Sequence, residues 1–208
     1  MIADAANPNR VIAAGYIQAN GNNLMGIFLS TDGGSNWTQI KIRDDNYSCA
    51  TAAALDPVTT NTIYVAGYTS AGAPVLYKST DGGANWTQLA PPTSSQYLSS
   101  IVVDPNSSNT IYAGTSYQGV YKSTNGGSSW TSLANAPWQG KCIAVNPSNS
   151  NEVFAGAWGI YYSSDGGATW KDLSEGLPSK SVNSIAVDPA ARVVYVGTSG
   201  GGICRRSF

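Results

Sequence analysis

The chain contains no histidine, and only 11% of its 208 residues carry a charge. The lack of histidine excludes histidine-based acid–base catalysis and metal ligation by imidazole. Eleven lysines and arginines stand against twelve aspartates and glutamates, without a basic block, so no nucleic-acid partner is expected. A charged fraction far below the usual ~25% leaves Ser, Thr, Asn and Gly as the polar residues, which is typical of turn-rich β structure.

Cysteines, long apolar runs and a leader are also scarce or missing. Cys49, Cys142 and Cys204 lie far apart and are odd in number, so they predict buried or free thiols. No run of about 18 apolar residues exists, so no membrane-spanning helix is expected. The first residues, Met1-Ile2-Ala3-Asp4, do not form a signal peptide. Either the protein stays inside the cell or a leader precedes this sequence.

An eight-residue motif recurs four times along the chain. It reads Ser-Thr-Asp-Gly-Gly-Ser-Asn-Trp at residues 30–37 and returns at residues 79–86, 123–130 and 163–170. Successive tryptophans are 49, 44 and 40 residues apart, which is the length of one four-stranded propeller blade. A proline turn followed by a β-rich run that ends at Gly forms a second landmark. These turns are Asn7-Pro8, Asp56-Pro57, Asp104-Pro105, Asn146-Pro147 and Asp188-Pro189.

The two landmarks together predict an all-β chain, because no segment has sustained helical periodicity. In the third repeat the four strands are expected at residues 100–103, 110–113, 119–123 and 130–133. A β-propeller of five four-stranded blades is predicted as a single domain over residues 1–208, the fifth blade lacking its outer strand. The first strand is expected near residues 4–6. The blades are expected at roughly residues 1–42, 46–90, 96–134, 140–174 and 181–208.

The four motifs resemble the Asp box, or bacterial neuraminidase repeat, whose pattern is S-x-D-x-G-x-x-W. With the proline turns, the resemblance covers nearly the whole chain. It is a resemblance to sialidases, xyloglucan-hydrolysing endoglucanases, sortilin-type receptors and photosystem II assembly propellers, and it implies a β-propeller.

The Asp boxes themselves are expected to be structural. The side chain at the Asp position can accept hydrogen bonds from its own turn, and the tryptophan can pack between blades. The third copy has asparagine instead, which is uncharged and argues against a shared metal site; no metal or cofactor is expected. The residues assigned this structural role are Asp32, Asp81, Asn125, Asp165, Trp37, Trp86, Trp130 and Trp170.

Strand order puts the proline turns and Asp boxes at one end of the propeller and the variable loops at the other. Rings with nearby amides are typical of carbohydrate sites, because sugars stack their CH faces on aromatic side chains. An alternative is that some rings pack between blades or line the central channel. The candidate binding residues at the loop end are Tyr16, Tyr47, Tyr68, Tyr97, Tyr117, Trp138, Trp158, Arg43 and Gln139.

No catalytic residue is predicted. Sialidase chemistry needs three arginines around the substrate, but Arg43 alone is expected at the loop end, and Arg10, Arg192, Arg205 and Arg206 at the other. The endoglucanase resemblance implies two aspartates in a cleft between two propellers. The carboxylates outside the repeated turns match no such pair; they are Asp4, Asp44, Asp45, Asp172, Glu152 and Glu175.

Three hypotheses for the function remain. The first is a non-catalytic, extracellular or cell-surface propeller that binds polysaccharide or glycan through its loops. The second is a protein-interaction or assembly module, and the third is a fragment of a glycoside hydrolase. The short fifth blade also leaves three alternatives: an exposed edge at residues 204–207, a strand donated by another chain through self-association or a partner, or a larger propeller.

Overall fold

The computed structural model describes residues 1–4 and 7–208, and this part of the chain contains strands but no helix. The strands form five antiparallel sheets, each made of consecutive strands in chain order. The all-β class and the five sheets predicted from the repeats are therefore confirmed, including the three-stranded fifth sheet.

Each sheet is one blade, and the blades are numbered one to five along the chain. Blade one contains β1 (Ile2–Ala3), β2 (Val11–Ala19), β3 (Asn22–Ser30) and β4 (Thr38–Lys41). Blade two contains β5 (Cys49–Leu55), β6 (Ile63–Tyr68), β7 (Pro74–Ser79) and β8 (Thr87–Leu89). Blade three contains β9 (Leu98–Asp104), β10 (Ser107–Thr115), β11 (Val120–Ser123) and β12 (Thr131–Ser132). Blade four contains β13 (Cys142–Asn146), β14 (Asn149–Ala157), β15 (Gly159–Ser163) and β16 (Lys171–Asp172). Blade five contains β17 (Val182–Asp188), β18 (Val193–Thr198) and β19 (Gly202–Ser207).

The first strand of every blade lies innermost. Residues from β1, β5, β9, β13 and β17 together line a central channel of about 380 Å³. This radial arrangement of consecutive four-stranded sheets is that of a β-propeller.

The expected position of the first strand is wrong. The strand is Ile2–Ala3 instead of residues 4–6, and residues 5 and 6 lie outside the described part of the chain. The Asp4 amide donates to the Arg10 carbonyl at 2.9 Å, as the Asp56 amide donates to the Thr62 carbonyl at 3.0 Å in blade two. Asp4 therefore holds the turn position. The turn of blade one joins its two strands over as many residues as the turn of blade two, but Pro8 lies four residues after Asp4 instead of directly after it, which displaced the prediction.

The hydrophobic core is divided among the blade junctions instead of forming one centre. Between blades one and two, Ile12 and Ile27 lie in one buried cluster with Ile63 and Val65. Similar clusters lie between blades two and three, between blades three and four, and between blades four and five. Each blade thus buries its apolar faces on its neighbours, which is the packing that a two-sided sheet requires.

The Asp-box turns are closed by hydrogen bonds within each motif. In the first copy Ser30 Oγ donates to Asp32 Oδ1 at 2.8 Å, and the Asn36 amide donates to the same oxygen at 2.8 Å. Gly33 and Gly34 have φ of 72° and 96°, a backbone conformation that favours glycine. The third copy is held in the same way, since the Ser129 amide donates to Asn125 Oδ1 at 2.9 Å.

Two of these turns also receive side chains from the preceding blade. The Tyr64 hydroxyl of blade two donates to the Gly126 carbonyl of blade three at 3.3 Å. The Tyr112 hydroxyl of blade three donates to the Gly166 carbonyl of blade four at 3.2 Å. Lys122 Nζ donates to the Gly166 carbonyl at 3.0 Å and lies 5.2 Å from the centre of the Tyr112 ring. A tyrosine and a lysine therefore fasten one blade to the Asp box of the next.

Replacing Tyr112 by phenylalanine removes one buried hydrogen bond and leaves the ring. We expect Tyr112→Phe to lower the free energy of unfolding by about 1 kcal/mol, measured by denaturant titration. Tyr121→Phe is the control, because the half-buried Tyr121 hydroxyl makes no hydrogen bond to the described residues, and its effect should stay within about 0.5 kcal/mol. Equal effects of the two substitutions would contradict this role for the Tyr112 hydroxyl.

The Asp boxes also predict a dependence of stability on pH. Hydrogen bonds from the Asn36 amide and side chain lower the pKa of Asp32 to about 2, and Asn85 has the same effect on Asp81. The Thr169 side chain and amide lower the pKa of Asp165 to about 2. Because these carboxylates hold their protons more weakly in the folded state, their contribution is complete above about pH 4 and is lost towards pH 2.

The melting temperature should therefore fall as the pH is lowered from about 4 to about 2. A variant carrying Asp32→Asn, Asp81→Asn and Asp165→Asn should show a shallower fall. Asn125→Asp adds a fourth titrating box and should make the fall steeper. If the parent chain, the triple variant and Asn125→Asp lose melting temperature equally as the pH falls, these carboxylates do not contribute to the pH dependence.

Candidate functional site

The two ends of the propeller differ in what they present. The Gly82 amide donates to the Asn61 carbonyl at 2.9 Å, and the Gly126 amide donates to the Asn109 carbonyl at 3.0 Å. These bonds join each Asp box to the proline turn of its own blade, so both kinds of turn lie at one end. The opposite end, called the loop face from here on, carries the loops between second and third strands and the loops between blades.

The seven predicted aromatic residues lie on this loop face. Tyr47, Tyr117, Trp138 and Trp158 are each more than half exposed. Tyr16 and Tyr97 are also exposed, whereas Tyr68 is half-buried. None of the seven lines the central channel. The alternative that these rings are buried between blades therefore fits Tyr68 in part and none of the other six.

The rings meet at the junctions between blades. At the junction of blades two and three, the centres of the Tyr68 and Tyr97 rings are 4.8 Å apart, with 42° between their planes. At the next junction the centres of Tyr117 and Trp138 are 5.8 Å apart, with 32° between planes. In each pair, one ring follows the second strand of a blade and the other lies in the loop to the next blade. The aromatic pair is therefore a repeated feature of the loop face.

A groove of about 270 Å³ occupies the junction of blades one and two. It is lined by Tyr16, Asn23, Tyr47, Ser48, Cys49 and Tyr68. Tyr47 has φ of 63°, an uncommon conformation for a residue other than glycine, and its amide donates to Asn46 Oδ1 at 2.9 Å. Asn46 Oδ1 also accepts the Asn23 amide at 2.8 Å, which ties the two loops together. The backbone thus holds the Tyr47 ring outward over the groove.

The residues that line this groove are tyrosine, asparagine, serine and cysteine. Burial raises the pKa of the Cys49 thiol above its ordinary value. Burial also raises the pKa of the Tyr68 hydroxyl, and the neighbouring Cys49 adds to this rise. Hydroxyl, thiol and amide groups therefore surround the rings, and no Asp, Glu, Lys or Arg residue lines the groove.

The junction of blades four and five has a different character. Trp158 is exposed there and its backbone bridges to Ser181. A hollow of about 450 Å³ lies at the end of β16 and the loop that follows it. It is lined by Asp172, Ser174, Glu175, Gly176, Leu177 and Lys180. This junction therefore has acidic and basic side chains beside its one exposed ring, whereas the two preceding junctions each have a pair of rings.

Arg43 is engaged in holding the loops together. It forms an ion pair with Asp45 and donates to the Tyr77 hydroxyl at 3.0 Å. The bond to Tyr77 raises the pKa of Arg43. Burial alone would raise the pKa of Asp45, but hydrogen bonds from the Ser70 amide and from Arg43 outweigh it and lower that pKa. That Arg43 contacts a ligand stays a prediction. Its guanidinium already has two partners, Asp45 and Tyr77.

Gln118 and Gln139 directly follow the two rings of the Tyr117–Trp138 pair in the sequence. Gln139 is half-buried beside Trp138, and its side chain makes no hydrogen bond within the described residues. Gln118 was missed by the sequence analysis, which named Gln139 as a candidate amide but not Gln118. Its side chain donates to Ser95 Oγ at 3.0 Å, and its position directly after Tyr117 was the available signal. Gln118 thereby links the loop of blade three to the loop between blades two and three.

Five of the six carboxylates outside the repeated turns have partners within the protein, and they are Asp4, Asp44, Asp45, Asp172 and Glu152. Asp44 pairs with Lys41 at 2.6 Å, and Asp172 accepts the Ser174 amide at 2.7 Å. Glu152 is buried at the Asp-box end and pairs with Arg192 at 3.0 Å. Within residues 1–4 and 7–208, no group of three or more Cys, Asp and Glu residues could hold a metal ion.

The other arginines lie mainly as expected. Arg10 pairs with Asp4 at 3.5 Å in the turn of blade one, and Arg192 belongs to the turn of blade five. Arg206 differs from the expectation, because its guanidinium donates to the Glu175 carbonyl at 2.9 Å in the loop between blades four and five. Its long side chain spans the distance from the strand to that loop.

Comparison with solved structures places the chain among known propellers. A glycoside hydrolase family 74 (GH74) xyloglucanase from Xanthomonas campestris matches with a TM-score of 0.75 and 15% identity, covering 98% of this chain and 35% of the enzyme. A GH74 enzyme from Niastella koreensis matches with a TM-score of 0.67 and 23% identity, covering 94% and 35%. YCF48 bound to D1 peptide matches with a TM-score of 0.62 and 16% identity, covering 99% and 71%.

These likenesses show the fold. The β-propeller implied by the repeats, similar to xyloglucanase and photosystem II assembly propellers, is confirmed. The chain spans about a third of the length of the two glycoside hydrolases it matches. The family model for sortilin (neurotensin receptor 3) and Vps10 matches residues 75–176, just under half of the chain.

Two further findings concern relatives of known sequence and membrane-spanning helices. A sequence search of curated proteins finds no match. The described residues include no helix long and apolar enough to cross a membrane.

Proposed function

We propose that the protein is a non-catalytic propeller that binds a carbohydrate chain across its loop face. The observation that carries this proposal is the repeated exposure of aromatic rings at successive blade junctions. Six of the seven rings are exposed on one face, in loops braced by hydrogen bonds. Exposed rings held in place lose little conformational freedom when a ligand arrives, which favours binding.

The chemistry of the face suits a neutral sugar. Aromatic faces offer apolar contact to sugar CH groups, and amides and hydroxyls nearby can hydrogen-bond to sugar hydroxyls. Tyr117 and Trp138 supply the rings at one junction, with Gln118 and Gln139 beside them. At the first junction the groove is lined by uncharged groups, as expected for a ligand without charge.

The spread of the rings favours an extended ligand over a single sugar. Rings occur at the junctions of blades one and two, two and three, and three and four, and Trp158 continues the series on blade four. A polysaccharide that contacts several junctions at once gains affinity from each without new chemistry. The likeness to a protein described as a xyloglucanase supports a polysaccharide as the ligand class. We further propose an extracellular or cell-surface location, where such ligands occur.

Trp138→Ala and Trp158→Ala test the proposal. Binding to xyloglucan and to a panel of immobilised glycans should weaken about fivefold or more for at least one of the two variants, because each removes a ring worth ~1 kcal/mol or more. Val58→Ala is the control, since Val58 is an exposed apolar residue at the Asp-box end. Absence of binding by the parent chain, or unchanged binding by both tryptophan variants, would refute the proposal.

Release of reducing sugar from xyloglucan would contradict the non-catalytic part of the proposal. Asp44→Asn and Asp45→Asn would then decide whether the carboxylates of the loop between blades one and two act on the substrate. Asp45→Asn should also loosen that loop, because Asp45 accepts the Ser70 amide at 3.1 Å. Activity that persists in both variants would exclude these two residues as its source.

A protein or peptide ligand is the second candidate. It is favoured by the match to YCF48, whose structure was determined bound to D1 peptide, and by the frequency of Tyr and Trp in protein interfaces. The same variants separate the two candidates when an unstructured peptide library replaces the glycans. Peptide binding that is lost in Trp138→Ala, without glycan binding by the parent, would replace the first proposal by the second.

A further inference from the structure

The loop between blades three and four is bound to blade three by hydrogen bonds on successive residues. The Gly119 amide donates to the Trp138 carbonyl at 2.9 Å, and the Gly140 amide donates to the Thr115 carbonyl at 2.9 Å. The Ser99 hydroxyl donates to the Gly140 carbonyl, also at 2.9 Å. Blade three thus fixes the backbone that carries the exposed Trp138 ring.

Two glycines allow this loop to approach blade three closely. A Cβ atom on Gly140 would lie 2.7 Å from the Gly114 Cα atom, and a Cβ atom on Gly114 would lie 2.0 Å from the Gly140 carbonyl oxygen. Both distances are well inside van der Waals contact, so a side chain at either position would push the loop away. Glycine at both positions brings the Gly140 carbonyl within reach of the Ser99 hydroxyl.

The junction of blades two and three has an equivalent hydroxyl. Thr51 Oγ1 donates to the Leu98 carbonyl at 2.6 Å, and Leu98 directly follows Tyr97. Leu98 and Gly140 occupy equivalent places, because each lies three residues before the isoleucine that pairs with an alanine of the second strand. At both junctions, therefore, a hydroxyl of one blade holds the backbone of the next blade close behind an exposed ring.

Both hydroxyls come from an irregularity in an innermost strand. Thr51 lies in the register shift between Ala50 and Ala52 of β5, and Ser99 lies in the register shift near the start of β9. The extra residue of a β-bulge is unpaired in the ladder, and its side chain is aimed away from the regular direction. Each hydroxyl also lies near a carbonyl of its own blade, at 3.3 Å for Thr51 and 3.2 Å for Ser99. The shorter bond of each goes to the next blade, so each hydroxyl chiefly serves the junction.

These hydroxyls occur at the same junctions as the ring pairs. The pairs Tyr68–Tyr97 and Tyr117–Trp138 lie where blade two meets blade three and where blade three meets blade four. The innermost strands of blades one and four, β1 and β13, contain neither serine nor threonine. At the junctions that follow these two strands, the rings of the loop face form no such pair within residues 1–4 and 7–208. A ring pair and a hydroxyl behind it therefore go together.

We propose that Thr51 and Ser99 are positioning residues, each of which holds the second ring of a pair in place for the ligand. The inference rests on the proposed function, because the position of a ring matters for binding when a ligand lies on it. Both residues line the central channel and act on the rings through the backbone of Leu98 and Gly140. A ring that is fixed beforehand needs no ordering on binding, so loss of the hydroxyl lowers the fraction of the protein that is ready to bind.

Ser99→Ala tests the proposal at the junction of blades three and four. It should raise the dissociation constant for xyloglucan, or for the panel glycan that the parent binds best, about threefold to tenfold. Ser99→Thr keeps the hydroxyl and should restore the affinity. Ser100→Ala is the matched control, because Ser100 is half-buried on the same strand and lines the channel, but its hydroxyl makes no hydrogen bond to the described residues. It should leave the dissociation constant unchanged.

Thr51→Val tests the junction of blades two and three. It should have an effect of similar size, and Thr51→Ser should reverse it because the hydroxyl is kept. Since the two hydroxyls serve different junctions, their effects on the dissociation constant should multiply in the double variant of Thr51→Val and Ser99→Ala. A double variant that binds no more weakly than either single one would overturn the assignment of one hydroxyl to each junction.

Fluorine NMR of fluorotryptophan-labelled protein tests the positioning without any ligand. The chain has six tryptophans, and Trp138→Phe identifies the Trp138 resonance. Ser99→Ala should shift or broaden this resonance, whereas Ser100→Ala should leave it as in the parent.

A Trp138 resonance that Ser99→Ala leaves unaltered overturns the proposal. So does a variant with a lowered melting temperature and an unchanged dissociation constant, since the hydroxyl would then serve stability alone. Absence of glycan binding by the parent chain would instead refute the proposed function. The Trp138 resonance distinguishes the two failures, because it reports the position of the ring in the protein without ligand.

Discussion

The stacking of one sheet on the next is the interaction on which the rest of this molecule depends. A four-stranded blade has apolar residues on both faces, and it cannot bury either face alone. Ile12 and Ile27 of blade one are buried in a cluster with Ile63 and Val65 of blade two. The loops that carry function are therefore positioned by junctions and not by single blades. This explains why the aromatic pairs of the loop face lie where two blades meet.

The Asp box contributes to these junctions in two ways. Within its own blade it closes a tight turn by side-chain hydrogen bonds, as Asp32 and Ser30 do. Towards the preceding blade it offers a glycine carbonyl, which Tyr64 and Tyr112 reach in two of the repeats. A motif recognised in the sequence by its acidic residue thus serves the assembly of blades through its backbone. The acidic residue sets the shape of the turn, and the carbonyl makes the connection.

Much of the fold could be predicted from the repeat, because turn chemistry and spacing are local properties. The Asp boxes and proline turns located the blades, and the polar neighbours of Tyr117 and Trp138 indicated that these rings are exposed. The start of β1 was predicted wrongly, since Pro8 does not directly follow Asp4 as the prolines of the other turns follow their Asp or Asn. The engagement of Arg43 by Asp45 and Tyr77 could not be predicted, because Tyr77 is distant in sequence.

The division of the core among the blade junctions has a consequence for how the molecule resists force and heat. Each blade contacts its immediate neighbours alone, so cooperative stability spreads along the ring one junction at a time, as in other repeat proteins. A ligand that contacts several junctions at once should therefore stabilise all of them together, and its binding should make the whole propeller more rigid.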